Sequence, residues 1–283
     1  MGNTRVNMDS VRIVDETSMN LFCELANSIK SIHGIDVHYI DDFLEAEVEE
    51  MEAFNLELIQ EGMLGKTSHL MQGISRIDLG IENDTSFVSI AKTPFLYPAP
   101  QILEHHLELT GPMTGNLQCC IDFDNDGFLY HMRGKKISEP YGFQAASAGM
   151  QDFNTTLYEG SLKELSEEAG IVTVKPLFGQ RAVSFRPFMK GGQIPQPLTT
   201  YAFEADLSGF EKYNSIKEVE DFEARTKKAL EDGDIQNQEA FPFAVPISFA
   251  EPFAEYIADS KRQYGPICQS VKDTLDMLDR QQI

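Results

Sequence analysis

The chain has 283 residues, 42% of them hydrophobic, and a formal net charge of −22. That length suits about two domains, and so apolar a chain is not disordered. The charge repels nucleic-acid backbones at long range, so nucleic acid is not an expected partner. A small phosphorylated molecule stays possible, because metal ions can supply the positive charge. No apolar run approaches the ~18–20 residues that cross a bilayer, so no membrane association is expected. Met1-Gly2-Asn3-Thr4-Arg5 lacks the basic and then apolar order of a signal peptide, and Val6 breaks the myristoylation pattern. A cytoplasmic protein is the expectation.

The first third reads as mainly helical. Ser18–His33 has helical spacing, with Gly34 as a stop. Tyr39–Gly62 aligns Ile40, Phe43, Val48, Met51, Phe54 and Leu58 near one stripe and sets Asp and Glu residues on the other faces. No spacing selects particular carboxylates from that run, so it reads as a solvated helix face. His105–His106 carries no ligand spacing either. The proline-dense stretch 93–100 marks a connector. This region, residues 1–109, is taken as an N-terminal helical or α+β domain. A protein-interaction role for it remains open.

From Asn116 the period changes. Leu117–Phe123 and Phe128–Met132 read as the two strands of a hairpin, joined by Asp124-Asn125-Asp126-Gly127. Asp122, Asp124 and Asp126 resemble the start of a calcium loop, but Arg133 stands where that loop needs Glu. Adjacent Cys119 and Cys120 would face opposite sides of the first strand. All four cysteines (Cys23, Cys119, Cys120, Cys268) read as reduced packing residues.

Gly142–Gly149 then reads as a small-residue strand ending in a sharp glycine. A helix follows from about Thr155 to Ala169, closed by Gly170. Leu157, Ser161, Leu162, Leu165 and Ala169 fall on its inward side, and Glu164, Glu167 and Glu168 gather on another at i, i+3 and i+4. Exposed like charges four apart cost an isolated helix roughly 0.2–0.5 kcal/mol. Three converging carboxylates make chemical sense around a divalent cation that also binds phosphate. The plainer reading is a Glu-rich amphipathic helix.

The order of these elements resembles the Nudix hydrolase superfamily. Gly149 matches the first position of that family's signature, and Lys163-Glu164-Leu165-Ser166-Glu167-Glu168-Ala169-Gly170-Ile171 matches its last nine. Thr155 and Lys163 depart from it, where the family has Glu and Arg. Lysine lacks the planar guanidinium fork, so the support of the metal-binding carboxylates must differ. Glu159 can pair with Lys163 at i, i+4, in support of the site or as a surface ion pair. Lys-Glu-X-X-Glu-Glu-Ala, Asn237-Gln238-Glu239-Ala240-Phe241 and Tyr264-Gly265-Pro266-Ile267-Cys268 are similar to the thiamine-type branch, associated with thiamine pyrophosphokinase.

The resemblance implies an α+β fold. It would be a Nudix-type α/β/α sandwich with a mixed sheet and C-terminal helix over residues 110–283, preceded by the mainly helical α+β domain. It implies Mg²⁺-dependent (or Mn²⁺-dependent) hydrolysis of a thiamine-like or nucleoside diphosphate, a small-molecule partner. Glu164, Glu167 and Glu168, with the carbonyl of Ala148 or Gly149, would hold metal. Glu239, or else Glu204, would be base or extra ligand. Arg133, Lys135 and Lys136 would contact phosphate. Tyr141, Phe143 and Phe185 read first as core and second as ring-stacking residues. A non-catalytic binding or regulatory module for a phosphorylated ligand is the alternative. An isomerase of isoprenyl diphosphates fits less well, because the family places a catalytic Cys near the glycine strand and Gln144–Met150 contains none.

Overall fold

The computed structural model describes residues 4–7, 36–41, 43–64, 68–82, 85–96, 115–135, 140–145, 147–186, 196–236, 238–262 and 267–281. The helix expected over Ser18–His33, the His105–His106 pair, residues 97–100, Lys136, Asn237 and Tyr264-Gly265-Pro266 lie outside them. The chain divides into two compact units. One is drawn from 1–116, 150–160 and 180–199, the other from 117–149, 161–179 and 200–283.

In the first unit, strands β1 (Thr4–Asn7), β2 (Asp36–Asp41), β3 (Leu70–Glu82) and β4 (Thr85–Leu96) form a sheet in the order β1-β3-β4-β2. Strand β2 runs parallel to β4, whereas β1–β3 and β3–β4 are antiparallel. The α+β alternative for residues 1–109 allowed for strands, but none of these four was located from the sequence. Helix α1 (Glu45–Gln60) starts six residues later than the periodicity suggested, because Tyr39 and Ile40 belong to β2, where Ile40 is exposed. The rest of the expected stripe holds. Phe43, Val48, Met51, Phe54 and Leu58 pack with Leu70 and Phe153.

The second sheet has the order β11-β6-β5-β10-β9. Its strands are β5 (Gly115–Asp122), β6 (Gly127–Arg133), β9 (Lys175–Arg186), β10 (Gln196–Glu204) and β11 (Ala240–Val245). Two short strands complete it, β7 (Phe143–Ala145) on β6 and β8 (Ser147–Met150) on β5. The helices are α2 (Leu157–Ala169), α3 (Ile216–Asp232), α4 (Ile247–Asp259) and α5 (Ile267–Gln281). The α+β class and mixed sheet therefore match expectation.

The β5–β6 hairpin closes as the sequence suggested. Asp122 accepts hydrogen bonds from the Asn125 backbone (2.9 Å) and side chain (2.9 Å) and from Leu207 N (2.7 Å), and Asp126 takes a positive φ of 48°. Burial opposes ionisation of Asp122, but these bonds hold its pKa below the ordinary carboxylate value.

Alternation along β5, β6 and β7 gives the second sheet two unlike faces. Leu117, Cys119, Ile121, Phe128, Tyr130, Met132, Phe143 and Ala145 join one core with Phe253, Ala254 and Ile257 of α4 and Val271 and Leu278 of α5. The Phe253 ring lies 4.9 Å from Tyr130 and 5.5 Å from Phe143, both edge-on. Tyr130 satisfies its hydroxyl by donating to Ala250 O at 2.7 Å. The intervening residues, Gln118, Cys120, Leu129, His131, Arg133 and Gln144, are buried too, and all but Cys120 and Leu129 are polar. Both thiols are free, and burial pushes Cys119 up to about 12 and Cys120 higher still, so neither is a nucleophile.

Candidate functional site

Helix α2 begins with a capping box. Thr156 donates to the Glu159 carboxylate from its backbone N and its hydroxyl (both 2.8 Å), and Glu159 N donates back to the Thr156 hydroxyl (3.2 Å). These bonds hold the Glu159 pKa below its ordinary value. The Glu159 carboxylate thus serves the cap. Gly170, at φ 69°, ends the helix in the left-handed region. Leu157, Ser161, Leu165 and Ala169 are buried, as their spacing required.

Thr155 has an amide partner instead of acting as a charged support. Gln151 Nε2 donates to its hydroxyl (2.6 Å) and carbonyl (2.9 Å), while Asn116 donates to Gln151 Oε1 (3.1 Å). A side chain at Gly160 would strike that same Gln151 oxygen.

Strand β8 meets the acidic face of α2. Gly149 lies within the strand rather than in a sharp turn, and a Cβ there would collide with the Glu164 carboxyl. One residue earlier, Ala148 N donates to Glu168 Oε2 at 3.1 Å. One residue earlier again, the Ser147 hydroxyl donates to Gln118 Oε1 (2.5 Å), and Gln118 Nε2 donates to the Ser161 hydroxyl (3.1 Å). Gln118, Ser147 and Ser161 are each 0% exposed. A fully buried amide on β5 therefore ties β8 to α2 three residues before Glu164.

The opposite wall comes from β6 and β11. Their register sets Ala240 against Arg133, and Gly134 N donates to Glu239 O at 2.8 Å. A Cβ at Gly134 would meet the Gln238 carbonyl, so this close approach requires glycine. Buried Arg133 donates from Nη1 to Gln144 Oε1 at 2.9 Å.

The charges converge on Glu168. Burial pushes its pKa up to about 8; the Ala148 N–H opposes that, the charge of Glu164 adds to it, Arg133 lowers it and Glu239 raises it further. Three expected site residues, Glu164, Glu239 and Arg133, thus each act on a fourth, Glu168. The remaining candidates are placed by their own surroundings. Glu167 and Lys135 are exposed, and Glu204 is ion-paired to Lys175 at 2.7 Å. Phe143 belongs to the apolar core and Tyr141 packs against it. Gln118, Ser147, Ser161 and Gln144 were not foreseen as supports. Their sequence signal is weak: single polar residues inside apolar strands or on a helix's inward side.

Among the described residues, no three His, Cys, Asp or Glu side chains stand together as a ready metal cluster. The donors of Glu164, Glu168 and Glu239 are nevertheless all hard oxygens, the type that divalent cations such as Mg²⁺ take. Burial first, and then the charges of Glu164 and Glu239, oppose ionisation of Glu168, and a cation would offset that opposition. A separate cavity of about 670 Å³, lined by residues including Phe43, Glu45, Gln72, Lys92 and Phe153, contains none of these carboxylates. No helix among the described residues is long and apolar enough to cross a membrane.

No protein-family model matches the chain, and no curated protein matches it. Solved structures do. A Nudix hydrolase of Nitrosomonas europaea is 12% identical, with a TM-score of 0.36 over 58% of this chain and 89% of that one. A Nudix hydrolase of M. smegmatis is 12% identical, with a TM-score of 0.34 over 60% and 87%. A protein of Listeria monocytogenes described as a Nudix hydrolase is 12% identical, with a TM-score of 0.37 over 59% and 95%.

Proposed function

We propose that this protein hydrolyses the diphosphate linkage of a small organic diphosphate, in the manner of Nudix hydrolases, through the region 110–283. The observation that carries the reading is the setting of Glu168: a half-buried carboxylate beside Glu164 and Glu239, bonded to Ala148 N, under a glycine that leaves room for Glu164. A fold gains nothing from gathering carboxylates against one another unless a cation or a proton completes them.

Glu164 and Glu168, with the carbonyl of Ala148 or Gly149, would hold Mg²⁺ or Mn²⁺, and Glu167 would reach it from the exposed side. When bound, that ion neutralises the diphosphate and acidifies a water molecule. Glu239 accepts the proton as the water oxygen bonds to phosphorus and the bridging P–O bond breaks, releasing a monophosphate and the second phosphoryl product. Arg133, with Lys135 and Lys136, offsets charge on the phosphoryl oxygens. A thiamine-like or nucleoside group is the organic half we favour.

The test is release of phosphate or monophosphate, with Mg²⁺, from thiamine diphosphates, nucleoside diphosphate-sugars, ADP-ribose and dinucleotides. Turnover that disappears with chelator and in Glu168→Gln supports the assignment. Normal turnover in folded Glu168→Gln protein removes it.

A further inference from the structure

We infer that Gln144 is a ligand-binding residue, its carboxamide N–H₂ donating to an anionic oxygen of the bound phosphoryl group beside Arg133. The inference rests on the carboxylate site described above. Gln144 is 0% exposed, and its two ends are unequal. Oε1 accepts from Arg133 Nη1 at 2.9 Å, whereas Nε2 is buried and has no hydrogen-bond partner among the described residues. Turning the amide over does not resolve this, because it would set two donors, guanidinium and N–H₂, against each other. Arg133 therefore fixes which end of Gln144 is left over.

A buried donor without a partner is destabilising, and native structures rarely keep one without a use. Its position supplies the use. Gln144 pairs with His131 across β6–β7, so it lies on the face opposite the aromatic core, as do Gln118 and Arg133. Gln118 bonds Ser161 of α2 from that face, and Arg133 acts electrostatically on Glu168. The leftover N–H₂ thus belongs to the sheet face that carries the candidate site. Two N–H donors beside a guanidinium suit an oxyanion, and phosphoryl oxygen is the acceptor the neighbouring carboxylates imply.

The experiment uses the full chain with inorganic pyrophosphate and Mg²⁺. The Gln144 side-chain N–H₂ resonances should move on adding Mg²⁺-pyrophosphate, and Gln144→Met should weaken its binding about ten- to a hundred-fold, as loss of a bond to a charged group does. Unmoved resonances, or unchanged affinity in folded Gln144→Met protein, overturn the inference; the resonance measurement needs no variant to fold. Glu168→Gln separates the two claims. If it leaves Mg²⁺-dependent pyrophosphate binding intact while Gln144→Met weakens it, the carboxylate reading fails and the Gln144 site stands. Wild-type protein that binds no pyrophosphate overturns both.

Discussion

Replacing Glu168 by Gln should make the metal-free protein more stable than the wild type as pH rises, while, on the proposed function, abolishing turnover. The folded carboxyl is held at about 8 against an ordinary 4.5. A group that binds its proton more tightly when folded contributes stability that is complete below 4.5 and is lost as pH rises toward 8. Glutamine imitates the protonated form at every pH. The two proteins should therefore match at low pH and diverge above it. At about 1.4 kcal/mol for each tenfold change in proton affinity, the divergence is bounded by about 5 kcal/mol. Solvent reaching a half-buried carboxylate removes much of that, leaving about 1–2 kcal/mol between pH 5.5 and 8. Melting curves of both proteins in chelator across that range should show the variant ahead by about 3–6 °C at the upper end. Added Mg²⁺ should then raise the wild type and leave the variant where it was. Parallel melting curves over the whole range would refute the reasoning, because they would mean Glu168 ionises as freely in the fold as outside it.

Three further substitutions follow from the same contacts. Gly149→Ala drives a methyl group into the Glu164 carboxyl; it should lower stability by about 1–3 kcal/mol and turnover by roughly a hundred-fold, read by melting and phosphate release. Gln118→Leu strips the buried Ser147 and Ser161 hydroxyls of their shared partner. Each loses about 1–3 kcal/mol in denaturant unfolding, and Mg²⁺ affinity should fall with them. Glu239→Gln removes a charge that raises the Glu168 pKa, so the midpoint of the pH-dependent melting described above should move to lower pH, with turnover reduced about a hundred-fold or more.

The second sheet was the more legible part of the chain. Hairpin β5–β6 announced itself by alternation and by Asp124-Asn125-Asp126-Gly127, and α2 by its inward Leu157, Ser161, Leu165 and Ala169. The first sheet was not. Strands β3 and β4 mix apolar, Gly, charged and Thr residues over 13 and 12 positions without a clean period of two. The acidic run beside Ile40 also extended the helical pattern back across β2. Glu164 and Glu168 were visible because four-residue spacing is a local property. The Gln118 tie and the Arg133–Gln144 pair were not, since they join residues whose meeting depends on how strands pair. The cap that Glu159 makes with Thr156 is a local contact that its spacing from Lys163 did not announce.

The two unlike faces of the second sheet bear on how such a protein can change over generations. Neighbouring residues of β6 answer to different demands: Phe128, Tyr130 and Met132 pack into the aromatic core, while His131 and Arg133 alternate with them on the opposite face, the one the proposed function gives to the ligand. Substitutions at the first set threaten how much protein survives in the cell, whereas those at the second, on the proposed function, would alter what the surviving protein accepts. Because the two sets alternate along one strand instead of occupying separate segments, a lineage can exchange its ligand preference one residue at a time while the aromatic core keeps the scaffold unchanged.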